Sequence, residues 1–112
     1  MSEESIFDIQ AGLCRTMSNA IRLEILHHLR NGPMGVSDII GTTGYTRNVI
    51  SHHLGVLHHG GIIKPVRGDQ DIHYQIANPK IIQVCVLMRD VLVEEASRRS
   101  KLMEGLPDER IG

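Results

Sequence analysis

With 112 residues, 41 % apolar and 22 % charged, the chain has the makeup of one globular domain, and its formal net charge of −1 gives it no overall basic character. Two cysteines exclude a disulfide framework. The longest apolar run, 81–93, is broken by Gln83, Arg89 and Asp90 and falls short of the ~20 residues that cross a bilayer.

The sequence does not open with a charged and then apolar leader, so a cytoplasmic protein is expected. Its aromatic residues are Phe7, Tyr45 and Tyr74, which leaves Ile, Leu, Val and Met to build the core. A chain of this length buries a modest share of its surface, which favours an oligomer. Residues 1–5 are polar and expected to fray. From there Ile6, Ile9, Leu13 and Met17 step by three or four, predicting a first helix of about 12 residues. Ser18 or Asn19 offers a cap for a second helix over 20–30, with Ile21, Leu23, Ile25, Leu26 and Leu29 inward and Asn31-Gly32-Pro33 ending it.

A short third helix over 36–42 turns Val36, Ile39 and Ile40 inward, and Gly41 to Gly44 supplies turn chemistry. Thr46 then caps a fourth helix that Gly60-Gly61 stops. Ile50, Leu54 and Leu57 form its apolar stripe, with Val49 and Val56 at the margins. Arg47, Asn48, Ser51, His52, Gly55 and His59 fall on other faces, and none is acidic. Two helices joined by a short Gly-containing turn, the second with an open polar face, make a helix-turn-helix. Between Asp38 and Asp69 there is no acid, while Arg47, Lys64, Arg67 and four histidines lie there. Phosphate contacts need only such a local surface. Chance unevenness is the bland account of so small an excess.

Residues 62–67 and 72–76 alternate apolar and polar positions around Gly68-Asp69-Gln70-Asp71, which predicts a β-hairpin with Pro65 on an edge strand. A hairpin after the polar-faced helix is the wing of a winged helix. Asn78-Pro79 starts a last helix over about 79–103, with 104–112 as a tail. Its apolar residues from Ile81 to Val93 occupy nearly all faces, so it needs cover on more than one side. A second subunit is the expected cover, in a two-fold dimer. The fold class is therefore mainly α with a β-hairpin wing, in a single domain over 1–112.

The segments Asn19-Ala20-Ile21-Arg22-Leu23-Glu24-Ile25-Leu26, Val49-Ile50-Ser51-His52-His53-Leu54-Gly55-Val56-Leu57 with Gly61-Ile62-Ile63, and His73-Tyr74-Gln75-Ile76 resemble the ArsR/SmtB family of repressors in unbroken order across about 18–76. The resemblance implies about five helices, a homodimer joined through its first and last helices, and double-stranded DNA with two-fold symmetry as partner. It also implies release by a ligand or redox signal. Carried over by position, Thr46, Arg47, Asn48, Ser51, His52 and His53 would face DNA. Chemically, Arg47 suits guanine and Asn48 adenine, while Lys64, Arg67 and His73 would track phosphates from the wing.

Seven histidines raise the question of metal. The pairs His27/His28, His52/His53 and His58/His59 are adjacent and diverge around a helix, while His52 and His59 lie two turns, roughly 10 Å, apart. No single helix chelates. The family's paired cysteines are absent from 34–38, and its Asp-x-His pattern is absent from the last helix; Asp71-x-His73 has that spelling but lies in the wing. No metal or cofactor is expected. Cys14 and Cys85 are candidate redox sensors, since the family packs the first and last helices together; their plain alternative is as small buried hydrophobes. No P-loop, Gly-x-Ser-x-Gly or His-Glu-x-x-His motif points to an enzyme. The competing readings are a winged-helix protein-interaction module and a metal- or arsenic-responsive repressor with a site unlike the family's.

Overall fold

The computed structural model describes residues 3–68 and 70–105. Asp69 of the expected turn, residues 1–2 of the expected frayed end and residues 106–112 of the expected tail lie outside the described residues. The elements in chain order are α1 (Ile6–Met17), α2 (Ala20–His28), β1 (Met34–Gly35), α3 (Val36–Thr43), α4 (Arg47–His59), β2 (Ile63–Val66), β3 (His73–Ile76) and α5 (Lys80–Glu104). They divide into two compact units, Met1–Ile82 and Gln83–Gly112.

Local chemistry sets the helix starts. Ser5 and Asp8 form a capping box on α1: the Asp8 N–H donates to Ser5 Oγ at 3.1 Å and the Ser5 N–H to Asp8 Oδ2 at 3.0 Å. Asn19 is the cap of α2, its Oδ1 accepting from the N–H groups of Ile21 and Arg22 at 2.9 and 3.1 Å. The α2 helix stops at His28, short of the expected Arg30. The Leu29 and Arg30 N–H groups donate to Ile25 and His27 carbonyls and tighten the last turn. The α3 helix runs to Thr43, and Gly44 ends it at φ 79°, a conformation that favours glycine.

The core of the first unit gathers around α4. Ile50, Leu54 and Leu57 are 0–2 % exposed. They meet Ile25, Leu26 and Leu29 from α2 and its cap, Ile39 from α3, and Ile62 and Ile63 at the start of β2, all fully buried. Helices α1, α2 and α3 and strand β2 all pack on α4. At the C-terminal end of α4 the chain runs close to α1: a Cβ on Gly60 would sit 2.8 Å from Thr16 Cγ2.

The sheet has three strands rather than the two of a simple hairpin, in the antiparallel order β1-β3-β2. Strand β1 pairs Met34 with Tyr74 and Gly35 with His73. Pro65 lies on β2, an edge strand, opposite Tyr74, so its missing N–H breaks no inner ladder. Of the apolar positions of α1, only Met17 is buried; Ile6, Phe7, Ile9 and Leu13 are exposed. No residue of α5 is buried, and Leu87, Val91 and Leu92 are each more than 60 % exposed. Among the described residues, no helix is long and apolar enough to cross a membrane.

Leu54→Ala is expected to lower unfolding free energy by about 2–5 kcal/mol, and Asn19→Ala by about 1 kcal/mol. Denaturant melts check both; a cost for Leu54→Ala no larger than that of the cap would contradict the core described.

Candidate nucleic-acid interface

Residues 44–46 join α3 to α4. Thr46 caps α4, its Oγ1 accepting from the Val49 N–H at 3.3 Å. With Ile50, Leu54 and Leu57 buried, the helical period turns Arg47, Asn48, Ser51 and His52 outward, and all four are exposed. The first turn of α4 holds no acidic residue, so the positive end of its dipole meets no counter-charge from its own helix. Further along, Ser51, His52, Gly55 and His59 line a shallow groove closed on one side by Thr16 of α1. A Cβ on Gly55 would meet open space, so no neighbouring helix requires that glycine.

His53 parts from this group. Its Nδ1 lies 3.1 Å from Arg22 Nη1, while Arg22 Nε donates to the Thr16 carbonyl at 2.6 Å. Arginine has only donors, so His53 Nδ1 accepts and the ring proton sits on Nε2. Burial, then the Arg22 charge, then His52 hold the imidazole below its ordinary range. His53 is half-buried and serves to join α2 to α4. Arg22 thus ties the end of α1, α2 and α4 together. The sequence reading gave it no role, because its partner lies 31 residues away.

On the wing, Lys64 and Arg67 are exposed. His73 is half-buried, and its Nδ1 lies 3.0 Å from the Asp71 carbonyl rather than reaching outward. Asp71 is a second residue without an assigned role in the sequence. Gly35 precedes α3 without a side chain to cap it. Asp71 fills that place from the wing: its Oδ2 accepts from the Ser37 N–H at 2.8 Å and its Oδ1 from the Ile72 N–H at 3.0 Å. The Ser37 bonds first, then those of Ile72 and the Arg47 charge, hold this carboxyl below the usual range. Arg47 Nη2 in turn donates to Ser37 Oγ at 3.2 Å.

The two thiols differ. Cys14 is exposed on α1, whereas Cys85 on α5 is half-buried, and burial pushes its pKa up against a smaller opposing effect of Arg89. A thiol in that setting is a weak nucleophile. Among the described residues no three His, Cys, Asp or Glu side chains gather as a metal site.

Because His53 resists protonation in the folded chain, the unfolded chain binds more protons below about pH 6.5. Stability is therefore expected to be full above that pH and to fall as pH drops toward the lowered pKa of the folded state. His53→Gln keeps an acceptor for Arg22 and should flatten this part of the melting-temperature profile between pH 7 and 5. An unchanged slope would mean that His53 does not carry it.

The sequence model for bacterial regulatory proteins of the arsR family matches residues 19–64. An uncharacterized HTH-type transcriptional regulator of Mycobacterium tuberculosis, Rv0081, is 27 % identical over 107 residues, covering 95 % of this chain and 94 % of that protein. Its crystal structure superposes with a TM-score of 0.78 at 26 % identity, covering 88 % of this chain and 99 % of that one. The homodimeric winged helix-turn-helix DNA-binding domain of Mb0332 from Mycobacterium bovis, described as a possible ArsR-family regulator, gives a TM-score of 0.72 at 27 % identity, with 84 % and 92 % coverage. The HTH-type transcriptional regulator NmtR of M. tuberculosis is 31 % identical over 74 residues, which is 66 % of this chain and 62 % of that protein.

Proposed function

This chain belongs to the ArsR/SmtB family of winged helix-turn-helix transcriptional regulators, and from that premise we propose that it binds double-stranded DNA as a homodimer and represses transcription from a two-fold symmetric operator. The observation that carries the reading is the outward face of α4, where Arg47, Asn48, Ser51 and His52 stand exposed and acid-free on a helix whose opposite face is fully buried. The N-terminal turn of α4 enters the major groove. Arg47 bonds the O6 and N7 of guanine, Asn48 reads adenine, and Thr46, Ser51 and His52 contact bases or phosphates at the groove edge. Lys64 and Arg67 neutralise phosphates from the wing. His53 and His73 are left out of this contact set, since each is half-buried against a partner within the chain.

Two copies of α4 about 34 Å apart meet adjacent major grooves on one face of B-DNA. The exposed apolar residues Ile6, Phe7 and Ile9 of α1 and Leu87, Val91 and Leu92 of α5 support association with a second chain, which would remove them from water. A dimer seated on a promoter excludes polymerase, and such a protein works on DNA in the cytoplasm.

Fluorescence anisotropy with labelled duplex tests the reading. Affinity should steepen as salt falls. Arg47→Ala should lose about tenfold or more for the preferred site and relax one base position, the cost of a bidentate base contact. Lys64→Ala and Arg67→Ala should weaken all sequences alike and lower the salt slope by about one each. Absence of DNA binding at low salt would return the chain to the class of protein-interaction modules. For the dimer, Val91→Glu should sediment as a monomer with its helical content retained and its operator affinity lost. A dimeric Val91→Glu would remove α5 from the interface.

A further inference from the structure

Three residues far apart in sequence meet at the edge of the reading surface. Ser37 sits in the first turn of α3, Arg47 opens α4, and Asp71 belongs to the wing. The Ser37 N–H donates to Asp71 Oδ2 at 2.8 Å, which holds the start of α3 to the wing. Arg47 Nη2 donates to the Ser37 Oγ at 3.2 Å, the hydroxyl oxygen serving as acceptor. Ser37 is thus held by its backbone on one side and meets the guanidinium with its hydroxyl on the other.

We propose that Ser37 and Asp71 are positioning residues for Arg47: the wing carboxylate holds the Ser37 backbone, and the Ser37 hydroxyl sets the reading guanidinium in place before DNA arrives and thereby sharpens base selectivity. The proposal rests on the reading of Arg47 as a base contact. A free arginine side chain samples many rotamers, and ordering it beforehand leaves less entropy to lose when it meets a base. The bond to Ser37 engages the guanidinium at a single nitrogen, Nη2. Asp71 has an opposing effect, since a carboxylate at the edge of a DNA-facing surface repels phosphate whatever the sequence. Selectivity rises while undiscriminating affinity falls, the sign expected of a specificity device.

The test uses the full-length dimer and two probes: the duplex that the wild-type protein selects from a randomised library, and a mixed-sequence duplex of the same length. Ser37→Ala keeps the backbone N–H that Asp71 accepts from and places a good helix former in α3, so its melting temperature should hold. Its ratio of selected to mixed-sequence affinity should fall about three- to tenfold, the worth of one hydrogen bond. In an Arg47→Ala background the same change should have no further effect. Asp71→Asn retains an oxygen for the Ser37 N–H but loses the charge. It should bind mixed-sequence DNA more tightly while its ratio falls, whereas a purely structural role would weaken both. A readout without DNA is the ¹⁵N relaxation of Arg47 Nε–Hε in the free protein, which should show a more mobile side chain in Ser37→Ala.

An unchanged ratio with unchanged Arg47 mobility in Ser37→Ala overturns the proposal. So does a loss of equal size in the Arg47→Ala background. If Arg47→Ala itself preserves the ratio, the assignment of Arg47 as reader falls as well. A loss in Arg47→Ala beside a neutral Ser37→Ala sinks the positioning alone.

Discussion

The buried stripe of α4 governs the rest. Ile50, Leu54 and Leu57 are lodged among side chains from α2, α3 and the start of β2 at 0–2 % exposure. Burying each stabilises the fold by roughly 1.5–3 kcal/mol, more than any surface contact of the same helix. Turning α4 by one residue would rotate it about 100° and bring Ser51 toward the core in place of Ile50. The angle at which Arg47 and Asn48 face solvent is thus a consequence of aliphatic packing behind them, and these two polar side chains carry none of that packing.

Features with a local signature were legible in the sequence. The three-four spacing of apolar residues located the helices, Thr46 and Asn19 announced their caps, and the Gly/Asp turn between alternating runs located the wing. Strand β1 was not legible, since two residues are too few for a period to show. The Arg22–His53 contact and the Asp71 cap on Ser37 were also invisible, because they join residues 31 and 34 positions apart and no alternation or spacing records such a meeting. The charge of Arg22 between Ile21 and Leu23 is the one local signal that could have pointed to such a partner.

The histidines illustrate the same division. Spacing alone showed that adjacent pairs diverge, and the structure gives each member of His52/His53 a different setting. His52 stays exposed, and His53 accepts from Arg22. His58 lies beside the Tyr74 ring, with centroids 6.2 Å apart, on the side of the wing. The acid-free interval of the sequence is likewise modified in three dimensions, for Asp71 from outside it reaches the first turn of α3 and comes within the influence of Arg47.

The close approach at Gly60 has a mechanical consequence. Thr16 stands where a side chain of residue 60 would be, so the end of α4 and the end of α1 bear on one another through backbone and a short, stiff, β-branched side chain. A long flexible residue there would absorb small displacements as a spring does. With glycine the contact behaves more like a pivot: a tilt of α1, the helix that presents Ile6, Phe7 and Ile9 to the exterior, is delivered to α4 with little slack. Even a single methyl group at residue 60 would stand 2.8 Å from Thr16 Cγ2, so one of the two helix ends would have to shift to admit it.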